Sequence, residues 1–260
     1  MGEFDLHNAQ LPDAPEATRG WAKLTNMDLA LRTLLAAIHA EDGSPRLALF
    51  TGPSGYGKTV AAAYTAAQSD AVYIRAHSAI MRKPLLEMIA GELALPVLRR
   101  STAQLLGAIV DQLAREPRPL IFDETDFIVE RSLIEILRDI HDQAQVPILM
   151  VGEEAMPARL KQWERFDNRI VAATLAEPAS LEDGRLLRDL YVRRVTMADD
   201  LADYFVERCK GVTRRIVINL QAAQNVAIDE LDTTTIDRAA WGNRPVMDGS
   251  VALRRGQALR

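Results

Sequence analysis

The sequence predicts an α/β fold with a parallel sheet covered by helices on both faces, followed by a small all-helical segment. Three observations support this prediction. Up to about residue 178, short apolar runs alternate with helical patterns, which is typical of a parallel sheet buried on both faces. A glycine-rich loop joins the first apolar run to the next helix. From Ser180 onward the strand pattern stops.

The individual elements follow from their periodicity. A capping box at Thr25-Asn-Met-Asp28 begins the first helix, because such residues satisfy free N–H groups of the first turn. Five short apolar runs predict strands at Leu47–Phe50, Ala71–Arg75, Leu120–Phe122, Val146–Val151 and Arg169–Leu175. Helical spacing predicts further helices at Val60–Ala67, Pro84–Leu95, Thr102–Leu113, Arg131–Gln143, Leu181–Val195, Leu201–Lys210, Arg214–Ala227 and Thr234–Trp241.

The chain divides into four predicted regions. Residues 1–20 are polar and without period, and they form a flexible tail. Residues 21–178 form the α/β core and residues 179–241 a helical lid. Residues 242–260 are irregular, hold four arginines against one aspartate, and form a basic tail.

Composition is that of an ordinary globular protein, with 48% apolar and 26% charged residues. Cys209 is the single cysteine, which excludes a disulfide framework or a cysteine-based zinc site within one chain and fits a reducing cytoplasm. No membrane span is expected, since no stretch of the sequence approaches the required apolar length. The acidic start of the chain is unlike a signal peptide. The net charge of −5 means that nucleic acid would need a local basic patch.

The glycine-rich loop matches the pattern Gly-x4-Gly-Lys-Thr of phosphate-binding loops. Its glycines let backbone N–H groups surround phosphates, and the following helix directs its N-terminal dipole at the same anion. Lys58 would neutralise phosphate oxygens, and the Thr59 hydroxyl would ligate Mg²⁺. The predicted ligand is ATP with Mg²⁺, held by Gly52, Pro53, Ser54, Gly55, Tyr56, Gly57, Lys58, Thr59 and Val60.

A second motif is the apolar strand that ends in Asp123-Glu124. Parallel strands present their carboxyl ends at the edge where ligands bind, so both acids are expected beside the phosphate loop. Asp123 would hold the Mg²⁺ shell, and Glu124 would orient and polarise the attacking water. The alternative is an ordinary helix start with Asp126 as its cap.

These two motifs, with the helical segment that opens at Gly211-Val-Thr-Arg-Arg215, resemble AAA+ ATPases. The resemblance implies a P-loop AAA+ αβα core with a five-stranded parallel sheet and a helical lid. Residues 134–142 and 146–152 resemble the transposition regulators of the MuB, TnsC and TniB type. This implies a slow ATPase of bacterial or phage-infected host cytoplasm that assembles on duplex DNA as a ring or filament and presents it to a transposase.

The same resemblance implies three further site residues. A neighbouring subunit would supply an arginine from the segment between the fourth and fifth strands, either Arg165 or Arg169, with Arg169 preferred; both can instead be surface ion-pair partners. Arg214 would reach the γ-phosphate from the lid, unless it is an ordinary helix arginine. The fourth strand ends in Val151-Gly-Glu-Glu154, where such proteins usually have a polar residue, so Glu153 would take that place.

A basic excess lies between the second and third strands, with seven basic and four acidic residues. The resemblance places this region against the DNA backbone, and Arg82-Lys83 at a helix start suits phosphate contact. Ordinary solvated side chains are the alternative. The predicted DNA-binding residues are Arg82, Lys83, Arg99 and Arg100.

Three functions compete. The first is the transposition regulator, the second is a helicase-loading or replication-initiation ATPase, and the third is a nucleotide switch without a DNA role. No winged-helix pattern follows the lid in this sequence, which counts against an origin-recognition protein. The acidic net charge keeps the third function open.

Overall fold

A computed structural model describes residues 23–41, 43–163, 166 and 168–249 of the chain. These residues form two compact units, which divide between Glu177 and Pro178. Lys23 and Leu24 group with the second unit. No helix in the described part of the chain is long and apolar enough to cross a membrane.

The first unit contains a five-stranded sheet, and its strand pairs are all parallel. Its strands are β1 (Leu47–Gly52), β2 (Val72–Arg75), β3 (Leu120–Asp123), β4 (Ile148–Glu153) and β5 (Ile170–Leu175). Their order in space is β2-β3-β4-β1-β5, so β1 is internal, and all six of its residues are buried. The predicted parallel sheet is confirmed.

Seven helices of the first unit are described. They are α1 (Thr25–Ile38), α2 (Lys58–Ser69), α3 (Arg82–Glu92), α4 (Thr102–Arg115), α5 (Thr125–Glu130), α6 (Ile134–Ala144) and α7 (Met156–Leu160). The sequence did not predict α5 and α7, because helices of one or two turns show too little period. The helix predicted from Arg131 begins at Ile134 instead, since Ser132 has φ 56° and interrupts the helical path.

Helices cover both faces of the sheet. Alternate strand residues such as Leu49 and Phe122 share one apolar core with α3, α4 and α6. Helices α1 and α2 pack against each other and against the strands, and none of their residues belongs to that core. The alternation places successive strand side chains on opposite faces, as the pleat requires.

The second unit is mostly helical. Its elements are α8 (Leu181–Tyr191), β6 (Thr196–Met197), α9 (Asp199–Arg208), α10 (Thr213–Asn225), a π-helix (Val226–Glu230), β7 (Thr235–Ile236) and α11 (Arg238–Trp241). The two short strands pair in parallel. They correct the helices predicted over 181–195 and 234–241, because α8 ends before β6 and β7 replaces the start of the last helix. A two-residue strand has no alternation to detect.

Residues 242–249, the described part of the predicted basic tail, lie on this unit. The Asn219 amide donates to the Met247 carbonyl at 3.1 Å and accepts from the Met247 N–H at 2.9 Å. Asn219 also donates to the sulfur of Cys209 at 3.3 Å. Cys209 is fully buried, and burial raises the pKa of its thiol. The remaining tail arginines, Arg254, Arg255 and Arg260, lie outside the described residues.

Candidate nucleotide-binding site

The glycine-rich loop connects the buried strand β1 to helix α2. Gly55 and Gly57 have φ angles of 88° and 82°, in a backbone region that residues other than glycine rarely adopt. Gly57 is the N-cap of α2 and has no side chain that could cap the helix. The first N–H groups of α2, at Lys58 and the half-buried Thr59, are therefore without side-chain capping. This arrangement suits an anion.

The ammonium group of Lys58 lies inside the loop. Its Nζ donates to the carbonyl of Gly52 at 2.7 Å and to that of Pro53 at 2.9 Å. Burial lowers the pKa of Lys58, and the nearby carboxylates of Glu124, Asp126, Asp123 and Glu153 oppose that shift. The lysine is thus a partly desolvated cation surrounded by acids, and a phosphate could replace the two carbonyls as its partner.

Asp123 and Glu124 lie at the carboxyl end of β3. The buried Asp123 accepts the Glu124 N–H on Oδ1 at 3.0 Å. Glu124 has φ 56° and is the N-cap of α5. The strand is therefore followed directly by a helix, as the alternative interpretation supposed, but Glu124 rather than Asp126 occupies the cap position. The two acids and a helix start coexist at this point.

Two residues of β2 that the sequence analysis missed contact these acids. The Tyr73 hydroxyl donates to Asp123 Oδ2 at 2.8 Å. Burial, followed by the charge of Asp123, raises the pKa of Tyr73 well above its usual value. The Arg75 guanidinium lies 3.8 Å from Asp123 Oδ2 and 3.5 Å from Glu124 Oε1. The parallel register that pairs Arg75 with Asp123 brings them together, and only the strand pairing could have revealed it.

The end of β4 is held by Asp126. Its Oδ2 accepts the Glu153 N–H at 2.6 Å, and its Oδ1 lies 3.6 Å from Arg159 on α7. A Cβ on Gly152 would collide with Asp126 Oδ2 and would lie 2.7 Å from the sulfur of Met156, so the close approach requires glycine. Glu153 follows, exposed, where the resemblance expects a polar residue.

Of the two arginines proposed to act on a neighbouring subunit, the structure describes Arg169 but not Arg165. Arg169 lies in the turn before β5, and its guanidinium binds the Asp142 carboxylate at 2.8 and 2.9 Å. Arg169 is in a turn that leads into an extended strand. Arg165 itself lies outside the described residues. A trans role for Arg169 requires its ion pair with Asp142 to open.

Arg214 lies in the second unit, exposed in the first turn of α10. Its neighbour Arg215 donates to the carbonyl of Asp248 at 2.6 Å. The predicted contact of Arg214 with a γ-phosphate stays a prediction.

The predicted DNA-binding residues separate into two pairs along α3. Arg82 and Lys83 form its exposed first turn, and Lys83 lies 3.7 Å from Glu87. Arg99, exposed with φ 60°, and Arg100 belong to the connection that follows the helix. Residues 84–98 of the chain lie between the two pairs.

The residues present fit a nucleotide with Mg²⁺. The uncapped start of α2 and the cation of Lys58 suit phosphates. The Thr59 hydroxyl and the carboxylate of Asp123 are oxygen ligands of the kind Mg²⁺ prefers. In the described residues no group of three or more His, Cys, Asp or Glu side chains could hold a metal ion.

Comparison with known proteins agrees with this geometry. Residues 41–160 match the family profile of the AAA domain. No curated protein matches the chain significantly. Among solved structures, the ORC2 protein of Aeropyrum pernix in its ADP form has a TM-score of 0.64 at 17% identity, over 89% of this chain and 68% of that one.

Two further structures are similar. The ORC1 protein of Aeropyrum pernix in complex with DNA has a TM-score of 0.58 at 18% identity, over 86% of this chain and 63% of that one. A structure of katanin, solved to explain its self-assembly, has a TM-score of 0.52 at 15% identity, over 79% and 68%. The profile match thus spans the phosphate loop and the acidic strand end, and together with these structural similarities it shows that the chain has the AAA+ P-loop fold.

Proposed function

We propose that this chain is an ATPase that binds duplex DNA in a nucleotide-dependent, sequence-independent manner as an oligomer. The observation that carries the ATPase proposal is the placement of three groups at the carboxyl edge of one parallel sheet: Lys58, which follows the loop after β1, and Asp123 with Glu124 at the end of β3. This is the set of groups that phosphoryl transfer to water requires.

Each residue has a defined task in this proposal. Lys58 leaves the Gly52 and Pro53 carbonyls and neutralises phosphate oxygens. Asp123 and Thr59 hold Mg²⁺, which when bound neutralises charge on the phosphates. Glu124 accepts a hydrogen bond from water and orients its oxygen toward the γ-phosphorus. The water oxygen bonds to phosphorus as the bond to the bridging oxygen breaks, the proton that the water loses passes to the Glu124 carboxylate, and ADP and phosphate leave.

The DNA part rests on the basic excess around α3 and on the similarity to an AAA+ protein in complex with DNA. Arg82 and Lys83 sit at a helix start, where backbone N–H groups add to phosphate contact. Few contacts per subunit imply that assembly on DNA supplies the affinity.

Two more specific roles fit this activity. The similarity to ORC and Cdc6 structures supports a replication-initiation or helicase-loading ATPase, whose partner would be a helicase. The sequence resemblance of residues 134–142 and 146–152 supports a transposition regulator instead, whose partner would be a transposase. DNA preference separates them, since a helicase loader meets single strands and a target-DNA regulator meets duplex.

The test of the ATPase uses two variants and a matched control. Lys58→Ala should abolish nucleotide binding, because Lys58 supplies the point charge on the terminal phosphates. Glu124→Gln should keep ATP bound while hydrolysis falls by roughly a hundredfold or more. Arg118→Ala, which removes an ion pair with Asp70, should change neither. Normal hydrolysis by Glu124→Gln would remove the assigned role.

The test of DNA binding compares labelled duplex and single-stranded oligonucleotides, with and without a non-hydrolysable ATP analogue. ATP-dependent duplex binding supports the transposition role, and a single-strand preference supports helicase loading. Electron micrographs of the duplex complex would show whether rings or filaments form. Binding to neither DNA would leave a nucleotide switch.

A further inference from the structure

Asn26, the second residue of α1, makes contacts that the proposed chemistry does not use. Its side-chain amide is buried, and it donates to the carbonyl of Tyr56 at 2.9 Å and to that of Glu177 at 2.8 Å. Its Oδ1 accepts the N–H of Glu177 at 2.9 Å. One side chain thus joins the phosphate loop to the last residue of the first unit.

The contact with Tyr56 orients the phosphate loop. Tyr56 lies between Gly55 and Gly57, both with positive φ, and glycine backbone has little conformational preference of its own. The C=O and N–H of a trans peptide point in opposite directions, and the described part of the chain contains no cis peptide. Because the Tyr56 carbonyl faces Asn26, the N–H of Gly57 faces away from α1. That N–H is among the donors expected to meet phosphate.

The contact with Glu177 fixes the end of the first unit. Glu177 is bound through both its N–H and its carbonyl, as a neighbouring strand would bind it. Ala176, just before it, donates to the carbonyl of Thr51 at 2.6 Å. Pro178, just after it, begins the second unit. A carboxamide supplies two donors and an acceptor without carrying charge, so the three bonds together explain why this position holds an asparagine.

We infer that Asn26 is a positioning residue that holds the phosphate loop in its nucleotide-binding shape and couples that shape to Glu177. The inference rests on the proposed nucleotide binding. A change in the Tyr56 peptide when phosphate enters must alter the amide that Glu177 shares. Nucleotide binding thereby changes the hydrogen bonding of Glu177, the residue after which the chain passes into the second unit.

The test uses the full chain with Asn26→Asp and Asn26→Ala. Aspartate has the same size as asparagine but lacks the amide that donates both hydrogen bonds. Its negative charge would also be repelled by the carbonyl oxygens of Tyr56 and Glu177. Alanine removes all three bonds without adding charge, and it serves if the aspartate variant does not fold. Thr33→Val is the matched control, because Thr33 lies on the same helix and its hydroxyl bonds to the Leu29 carbonyl and to the Thr174 hydroxyl of β5 rather than to the loop.

Two quantities are measured on proteins shown to be folded by circular dichroism. The first is the affinity for a fluorescent ADP analogue, which should fall about tenfold or more in both Asn26 variants, since the buried hydrogen bonds that orient the loop are removed. The second is amide hydrogen exchange of the peptide containing Ala176 and Glu177. Saturating nucleotide should slow this exchange in the wild type and in Thr33→Val, but not in Asn26→Ala.

The outcomes separate this inference from the proposed function. If the wild type does not bind nucleotide, both are overturned. If the wild type binds and the Asn26 variants match it in affinity and in nucleotide-dependent exchange, only the inference is overturned. A lower melting temperature with both properties unchanged would reduce Asn26 to a purely structural role and would also overturn it.

Discussion

The guanidinium of Arg75, at the carboxyl end of β2, lies 3.5 Å from the carboxylate of Glu124, at the carboxyl end of β3. Glu124 is the residue proposed to orient water, and Arg75 engages one of its oxygens. An arginine contact of this kind occupies a carboxylate oxygen and competes with water for it. The Arg75 side chain is 58% exposed, so anything that attracts its charge elsewhere would release Glu124.

Removing this arginine should therefore raise hydrolysis in the absence of DNA. Arg75→Ala is expected to increase the basal hydrolysis rate by roughly two- to fivefold, because an exposed ion pair contributes up to about 1 kcal/mol. Arg75→Lys keeps the charge and should stay nearer the wild type. The measurement is phosphate release at saturating ATP. A slower rate in Arg75→Ala would instead mean that Arg75 assists the reaction.

The close approach at Gly152 predicts a loss of stability on adding one methyl group. In Gly152→Ala the new Cβ would meet the Asp126 carboxylate and the sulfur of Met156, so the free energy of unfolding should fall by about 1–3 kcal/mol. Gly107→Ala is the control, since Gly107 lies within α4 and has open space around its Cα. That change should stabilise by about 0.5–1 kcal/mol. Urea unfolding measures the free energy of unfolding of both variants. Equal changes in the two variants would contradict the close packing described around Gly152.

Asp126 predicts a pH dependence of stability. Its pKa is raised, mainly by burial, so the folded protein holds this proton more tightly than the unfolded chain. The stability that the proton contributes is full below the ordinary carboxyl pKa of about 4 and disappears as pH rises through the raised pKa. The asparagine in Asp126→Asn cannot ionise, so this variant does not lose that stability as pH rises.

The free energy of unfolding of Asp126→Asn should therefore improve relative to the wild type as pH rises from about 4 to about 7. Urea denaturation at several pH values measures this difference. Asp111→Asn, which changes an exposed carboxylate on α4, provides the comparison. A difference from wild type that does not change with pH would show that the carboxyl group is not the source.

The arginines before β5 predict complementation between defective subunits. Lys58→Ala lacks a working nucleotide pocket, whereas Arg165→Ala with Arg169→Ala lacks the arginines proposed to act on a neighbour. Mixing the two should restore part of the ATPase activity, since one interface in the mixture would combine an intact pocket with intact arginines. Arg118→Ala mixed with Lys58→Ala gives the reference for dilution alone. A mixture that co-assembles without increased activity would end the trans-arginine model.

The single variants divide the roles of these arginines. Arg169 is held by Asp142, so Arg169→Ala should lower stability as well as any activity that it supports. Asp142→Asn weakens the same ion pair and so loosens one contact that holds Arg169. If Asp142→Asn raises ATPase activity, then the ion pair competes with the trans role.

The two basic pairs around α3 predict separable contributions to DNA affinity. Arg82→Ala with Lys83→Ala should weaken binding to all duplex sequences about equally. It should also flatten the dependence of log affinity on log salt by about 0.9 for each phosphate that the variant no longer neutralises. Arg99→Ala with Arg100→Ala tests the second basic pair, in the connection between α3 and α4, in the same way. Fluorescence anisotropy at several salt concentrations, with an ATP analogue present, measures both.

The control for this series is Arg115→Ala with Arg118→Ala, which changes the net charge equally. The Arg115 guanidinium donates a hydrogen bond to the Asp111 carbonyl, and the Arg118 guanidinium donates one to the Asp70 carbonyl. If the control weakens DNA binding as much as the others, the effect comes from overall charge. If none of the three pairs matters, DNA binds elsewhere, and the basic tail with Arg244, Arg254, Arg255 and Arg260 is the next candidate. Arg244 is already paired with Glu230 at 3.1 Å.

What the sequence could predict follows from how local each signal is. The phosphate loop is one continuous motif between a strand and a helix, and the acids of β3 follow an apolar run, so both are visible in a single segment. The five parallel strands are predictable because each is an apolar run of four to six residues.

The missed contacts depend on pairings between distant segments. Tyr73 and Arg75 meet Asp123 only because β2 and β3 pair in one register. Asn26 reaches Glu177 across 151 positions of chain, and no local pattern marks its side chain. The strands β6 and β7 are two residues each, so their pairing leaves no periodic trace.

Cys209 is the single cysteine of the chain and is fully buried. Its low accessibility and raised pKa make it a poor nucleophile, so maleimide reagents should ignore it in the folded protein. A cysteine placed at an exposed position would then be the sole labelling point without any native residue having to be removed. Met81, the N-cap of α3, and Leu98, in the connection between α3 and α4, are 59% and 82% exposed. A fluorophore at each, one at a time, would report separately whether DNA approaches the start of α3 or the connection after it.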